Sequence, residues 1–407
     1  MTQQAAIALG QSLRVLATAA DEPAAQVTPD LVIGSHTDLE ALRQVAAGAD
    51  ALTFDHEHVP TELLEKLVAE GVNVAPPPHA LVHAQDKLVM RRRLEALGVP
   101  VPRYAAIQSF EDLDELDAFA AWVDAPLVVK AVRGGYDGRG VRMARDLADA
   151  RELAGEYLAE GVPVLVEERV RLRRELSAMV ARSPFGQGAA WPVVETVQRD
   201  GICVLVIAPA PALPDAVAGT AQQLAFRLAA ELGVVGVLAV ELFETTDGAL
   251  VVNELAMRPH NSGHWTMDGA RTGQFEQHLR AVLDYPLGDT GAIAPVTVMA
   301  NVLGAAQTPT MTVDERLHHL FARMPDARVH LYGKGERPGR KIGHVNLLGA
   351  DTAEVANLRE RAERAAHWLS HGQWTDGWDP HGRGSDDAEQ QSDVGAPPAC
   401  GGEERRI

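Results

Sequence analysis

Residues Val251–Trp265 read VVNELAMRPHNSGHW, an apolar strand that delivers one carboxylate, Glu254, into a run of arginine, histidine and amide side chains. Just upstream, Val237–Phe243 (VLAVELF) is a second apolar run carrying a single acid, Glu241. Thr245-Thr246-Asp247-Gly248 joins the two, and Asp-Gly at the centre of such a connection is a strong hairpin signal. With Asp247 and Gly248 as the turn residues, Glu241 and Glu254 fall opposite each other, their Cβ atoms roughly 5 Å apart. Val237, Ala239, Leu250 and Val252 then share their face. Two like charges so placed are unfavourable unless one is protonated or a cation sits between them. Mg2+ takes one or two protein carboxylates and shares its other positions with phosphate oxygens. A hairpin mouth where both acids reach water has the same pattern.

Three further segments carry chemistry. Leu127–Val141 (LVVKAVRGGYDGRGV) is a β-run delivering Lys130 into a glycine-rich loop whose backbone amides can close over phosphate. It is not a P-loop, since no GK[ST] follows, and a surface hairpin is the alternative. Val164–Arg169 (VLVEER) is an apolar strand ending in Glu167 and Glu168, with Glu175 further on. A strand edge offers backbone groups to a purine and a carboxylate can accept ribose hydroxyls, though solvated acids at a strand end read the same way. Arg258, His260, Asn261, Ser262 and His264, together with Arg337, Arg340 and Lys341 of RPGRKIGH (337–344), are donors suited to an oxyanion.

The formal net charge of −19 argues against non-specific binding to nucleic acid or anionic membranes. No apolar run reaches the length of a membrane span and no secretory leader is present, so a cytoplasmic location is expected. Cys203 and Cys400 are far apart with no CxxC, which predicts neither disulfide nor zinc site. Of the 37 basic residues only Lys66, Lys87, Lys130, Lys334 and Lys341 are lysines, and all but Lys66 lie in the segments of interest.

At 407 residues the chain has room for two or three cores. Residues 1–78 alternate strand-like runs (Leu13–Ala17, Leu31–Gly34, Ala51–Phe54, Val72–Ala75) with helical ones (Asp38–Ala47, Thr61–Glu70), which predicts a parallel sheet with covering helices. Pro76-Pro77-Pro78 marks a boundary. Residues 85–290 mix helices with β-rich runs, residues 295–378 hold the basic cluster and a helix around Thr352–Leu369, and 381–407 has little to bury and reads as disordered.

In this order the segments resemble the ATP-grasp enzymes, and in detail the N5-carboxyaminoimidazole ribonucleotide synthase family. The matching runs are FDHEHVP (54–60), QDKLVMRRRLEALGVPVP (85–102), GGYDGRG (134–140), NELAMRPHNSGHW (253–265) and RPGRKIGH (337–344). The resemblance implies an α/β and α+β fold: a Rossmann-like pre-ATP-grasp domain here lacking its first strand, an ATP-grasp domain and a small C-terminal domain. It implies that ATP phosphorylates bicarbonate to carboxyphosphate, which the amine of 5-aminoimidazole ribonucleotide (AIR) then captures. By position, Lys87, Lys130 and the loop Gly135, Tyr136, Asp137, Gly138, Arg139, Gly140 and Val141 would hold phosphates. Glu167, Glu168, Arg169, Val170 and Glu175 would take adenine and ribose, with Gln198 at a further nucleotide contact. Glu241 and Glu254 would carry Mg2+ or Mn2+, with Asn253 beside them. Tyr136, Asp137 and Glu57 would serve the imidazole, and Arg258, His260, Asn261, Arg337, Arg340 and Lys341 carboxyphosphate and the ribotide phosphate. A homodimer and a downstream N5-carboxyaminoimidazole ribonucleotide mutase as metabolic successor are further expectations.

Three departures stand out. Lys87 replaces the family's usual arginine, Met257 replaces a usual proline, and the chain opens on a helical stretch where family members have a strand and a glycine loop. The last implies that Met1 is an internal methionine of a longer chain. Competing readings are a formate-dependent glycinamide ribonucleotide transformylase, a biotin carboxylase-like ligase, or a non-catalytic nucleotide-binding relic.

Overall fold

The computed structural model describes residues 1–135 and 140–378. Tyr136, Asp137, Gly138 and Arg139, and the tail 381–407, lie outside the described residues. In the amino-terminal unit β1 (Arg14–Ala17) and β2 (Asp30–Ile33) pair in parallel, as the alternating pattern predicts. Ala51–Phe54 and Val72–Ala75, expected as strands, form only a single parallel bridge, Leu52 to Val74.

A four-stranded antiparallel sheet follows, ordered β3 (Tyr104–Ile107), β6 (Val164–Glu168), β4 (Leu127–Ala131) and β5 (Val141–Met143). Helices Glu115–Val123 and Leu147–Ala159 cover it, burying Leu116, Phe119, Leu153 and Val129 in one cluster. Among the described residues the largest sheet has nine strands. Its path runs β12 (Leu250–Ala256), β11 (Gly236–Thr245), β7 (Leu172–Arg182), β9 (Val194–Arg199), β10 (Ile202–Ala208), β13 (Val296–Leu303), β15 (Lys341–Gly349), β14 (Arg328–Leu331), with β8 (Gly188–Ala190) on β7. β10 pairs directly with β13, so the sheet is continuous from the middle of the chain into residues 295–378.

The two faces of this sheet differ chemically. One is apolar: Leu176, Leu238, Val240, Leu242 and Val252 pack beneath helix Asp215–Glu231, and Val298, Ala300, Val345 and Leu347 beneath helix Val355–His371. The register sets the residues of the other face. Glu241 stands beside Ser177, Glu175 beside Thr196, Thr196 beside Val206, Val206 beside Met299, Met299 beside Asn346, and Asn301 beside His344. Opposed residues share a face and residues two apart along a strand share it too. Gln198 therefore joins Glu175 and Glu241 on the polar side.

The β11–β12 hairpin departs from a two-residue turn. Thr245 donates to the carbonyl of Ala249, and Glu244 faces Leu250, Phe243 faces Val251 and Leu242 faces Val252. That register is one residue off the expectation, and a bulge at Asn253 then brings Glu254 opposite Glu241. The extra residue also moves Val252 onto the helix-covered face with Leu242, so Leu250 and Val252 do not share the glutamates' face as the simple hairpin implies.

Candidate active site

Asn253, in the bulge, and Glu254 stand across from Glu241 on the polar face. The Asn253 amide lies 3.4 Å from Glu241 Oε2 and accepts from Lys130 Nζ at 3.1 Å. Lys130 is delivered by β4 and also contacts Glu167 Oε2 at 2.7 Å. Burial pushes the Glu241 carboxyl up to about 7, helped by the Glu254 and Glu175 carboxylates, with Lys341 and the Asn253 amide acting the other way. Burial likewise raises Glu175. Glu241 and Glu254, facing each other with the Asn253 amide beside them, offer hard oxygen donors of the kind that fit Mg2+ or Mn2+ shared with phosphate oxygens. Lys87 reaches the same place, its Nζ 2.7 Å from Glu254 Oε1.

Glu167 and Glu168, expected to offer carboxylates to the nucleotide, are committed elsewhere. Glu167 is fully buried and contacts Arg91 through Nε at 2.8 Å as well as Lys130. Burial alone would raise its carboxyl, but Arg91 and Lys130 outweigh this and hold it down at about 2. Glu168 accepts two guanidinium hydrogen bonds from Arg103, at 2.9 and 2.6 Å, and one from the Arg103 backbone at 2.9 Å. The strand-edge expectation also changes: β6 is an inner strand paired with β3 and β4, and the Glu168 and Arg169 amides donate to the carbonyls of Arg103 and Pro126 at 3.0 and 2.7 Å. Arg91 and Arg103 precede the strand in sequence, and nothing local in VLVEER points to them.

The segment after Glu254 crosses the polar face from β7 to β15. Arg258 Nε donates to Glu57 Oε2 at 2.6 Å, and the Met257 amide donates to the other oxygen at 3.2 Å. His260 Nε2 lies 3.5 Å from Glu241 Oε1. Burial, then Arg258 and Lys341, hold His260 well below the usual histidine range, so it is a neutral imidazole. Asn261 and Asn301 exchange two amide hydrogen bonds, at 2.9 and 2.8 Å. Ser262 and His264, grouped from sequence with the oxyanion donors, are buried structural residues. Ser262 bonds Ser177 at 2.8 Å, while His264 stacks on His344 with ring centres 5.0 Å apart and bonds Gln274 at 2.8 Å.

Arg337 and Arg340 are exposed in the turn before β15, and Lys341 begins that strand. The turn sits on Gly304: the Gly304 amide donates to Arg340 at 2.8 Å and Gly339 donates back at 2.9 Å. Lys341 is near enough to influence Glu241, His260 and His264. Among the glycine-loop residues the structure describes Gly135, Gly140 and Val141; Gly140 takes a left-handed φ of +77° and Val141 pairs with Lys130.

Arg91, Asn301, Gly304 and Gln274 are the supporting residues that the sequence reading missed. One signal was available. Thr297 and Asn301 in VTVMANVL, and His344 and Asn346 in KIGHVNLLG, are polar residues of equal parity inside apolar strands.

Comparison with known proteins settles the family. The ribonucleotide synthetase preATP-grasp domain model matches residues 1–85, the ATP-grasp domain model 92–275, and the phosphoribosylaminoimidazole carboxylase C-terminal domain model 297–358. The N5-carboxyaminoimidazole ribonucleotide synthase of Mycobacterium tuberculosis is 80% identical over 411 residues, covering 100% of this chain and 93% of that one. The chain belongs to the N5-carboxyaminoimidazole ribonucleotide synthase family. The Corynebacterium ammoniagenes synthase is 50% identical over 389 residues, with 93% and 91% covered. Among solved synthases, that of Thermus thermophilus superposes with a TM-score of 0.78 at 34% identity, covering 93% of this chain and 97% of that one. A synthase from Aspergillus clavatus, solved with ADP and 5-aminoimidazole ribonucleotide, gives 0.79 at 31% identity over 89% and 95%. The family is one of ATP-grasp ligases, and the match to this particular synthase, through its own C-terminal domain, sets aside the transformylase and biotin carboxylase readings. Among the described residues no helix is long and apolar enough to cross a membrane.

Proposed function

We propose that the polar face of the large sheet carries out the family's ATP-dependent carboxylation of AIR in purine biosynthesis, with ATP consumed at the Glu241–Glu254 end and carboxyl transfer at the Arg258–Lys341 end. The observation that supports this is the strand register: one continuous face holds Glu175, Gln198, Glu241, Glu254 and Asn301, and the NSGHW segment lies across it.

Lys130, fixed by Glu167 and Asn253, points its ammonium at the phosphates. The backbone of Glu167–Val170 holds adenine, and Glu175 and Gln198 take the ribose side. Glu241 and Glu254 would hold Mg2+ or Mn2+, which would supply neutralisation of phosphate charge; bicarbonate attacks the terminal phosphorus of ATP. ADP leaves, and carboxyphosphate is retained by Arg258, neutral His260 and Asn261. A neutral imidazole can donate to the oxyanion without adding charge beside Glu241. The AIR amine attacks the carboxyl carbon and phosphate departs, giving the N5-carboxylated ribotide. Arg337, Arg340 and Lys341 grip the ribotide phosphate, and Glu57 orients Arg258 at the imidazole end. Tyr136 and Asp137, which the resemblance assigns to the imidazole, lie outside the described residues.

The reading carries with it a cytoplasmic homodimer whose labile product passes to a mutase. It is tested by ADP release with ATP and bicarbonate, plus and minus AIR. AIR-dependent release supports it, and release indifferent to AIR or supported by formate in place of bicarbonate counts against it.

A further inference from the structure

Lys87 opens the helix Lys87–Ala96, and its first turn is tied to three places at once. Asp86 caps the helix, accepting from the Val89 amide at 2.9 Å, and its other oxygen accepts from Arg133 Nε at 2.8 Å. The Lys87 amide donates to the carbonyl of Val132 at 3.0 Å. Val132 and Arg133 are the residues from which the glycine loop departs. The Lys87 ammonium, its side chain 13% exposed, lies 2.7 Å from Glu254 Oε1. One turn on, Arg91 projects from the same helix face and binds Glu167, the partner of Lys130.

An ammonium at 2.7 Å holds one of the two Glu254 carboxylate oxygens, Oε1, and places a positive charge beside the other. Mg2+ coordinates at about 2.0–2.1 Å, and on either oxygen it would sit against the positive charge already held there, so metal and ammonium compete for this carboxylate. A bare metal ion therefore meets the Lys87 charge at this carboxylate, and displacing it costs the ion pair. A metal ion arriving with nucleotide brings phosphate oxygens that can receive the ammonium. Lysine suits such an exchange, because its single compact charge sits on a flexible stem rather than in a fixed planar fork.

We propose that Lys87 is an internal counter-cation that holds Glu254 until nucleotide arrives, then passes to the phosphates as the metal takes the carboxylate. This rests on the reading of Glu254 as a metal ligand. It makes metal binding conditional on nucleotide. Through the Val132 and Arg133 contacts, it also couples the exchange to the base of the glycine loop.

Mn2+ binding to the full chain, followed by the electron paramagnetic resonance of the free ion with and without ADP, tests this. Wild type is expected to bind Mn2+ weakly alone and much more tightly with ADP. Lys87→Met should bind Mn2+ alone roughly tenfold more tightly than wild type, the worth of about one charge-assisted hydrogen bond, and should gain less from ADP. Lys87→Gln, a second neutral variant, should do the same, and Lys87→Arg should restore weak binding. Equal or weaker Mn2+ binding by both neutral variants, with circular dichroism unchanged, overturns the exchange. Glu254→Gln separates the two ideas. Loss of ADP-dependent Mn2+ binding in that variant supports the metal reading, and its retention overturns both.

Discussion

Glu254 faces Glu241 across the β11–β12 ladder because an extra residue, Asn253, is bulged out of β12. The bulge gathers two carboxylates and an amide on one side of the sheet. Replacing either acid with its amide, Glu241→Gln or Glu254→Gln, should lower AIR-dependent ADP release about a hundredfold or more, the scale of charge stabilisation a bound metal supplies. Far-ultraviolet circular dichroism should not change. Activity within a few fold of wild type in both variants would remove these residues from the metal site.

Arg91 and Glu167 form a buried pair that also fixes Lys130. Glu167→Leu leaves the Arg91 charge buried without its partner and should cost about 3–5 kcal/mol of stability. The double variant Arg91→Met/Glu167→Leu should recover most of that loss in denaturant titrations yet stay impaired in ATP turnover, since Lys130 has lost an anchor. Full recovery of turnover would show that Glu167 serves stability alone.

A β-carbon at Gly304 would lie 2.1 Å from the Arg337 carbonyl oxygen, a backbone atom that cannot yield without moving the 337–340 turn. Gly304→Ala is expected to raise KM for AIR roughly tenfold or more while leaving KM for ATP near wild type, because displaced phosphate-binding groups lose alignment. Equal changes in both constants would place the turn's effect elsewhere.

His278 is buried between the amino-terminal unit and β11, accepting from the Val237 amide at 3.1 Å and bonding Thr53 at 2.7 Å. Burial holds its imidazole down at about 4, from an ordinary 6.5. Above pH 6.5 both folded and unfolded chains leave it neutral, so stability there is independent of it. As pH falls toward 4 only the unfolded chain takes the proton, and stability drops by about 3 kcal/mol in total. His278→Asn keeps an acceptor for Val237, so its urea midpoint should decline less between about pH 7 and about pH 5 than that of wild type. Identical declines would contradict this assignment.

The hairpin was legible because Asp-Gly and two apolar runs leave few alternatives. The bulge was not, since an asparagine in a short strand gives no sign of being the extra residue. Glu175 and Gln198 entered by resemblance, and the register puts them on the polar face with Glu241. The ion pairs of Glu167 and Glu168 were not legible because their arginine partners lie on distant segments, and ion pairing across such distances leaves no local pattern. Continuity of the sheet through β10 and β13 is likewise a non-local pairing. Asn301 and His344 were within reach, as polar residues of one parity in apolar strands mark a buried polar face.

The most direct test of the central claim is ADP release by the purified chain with ATP, Mg2+ and bicarbonate, plus and minus AIR, beside Lys130→Ala and Glu254→Gln. The account predicts release that depends on AIR in wild type and falls at least about a hundredfold in both variants. AIR-dependent release that survives both substitutions would contradict it.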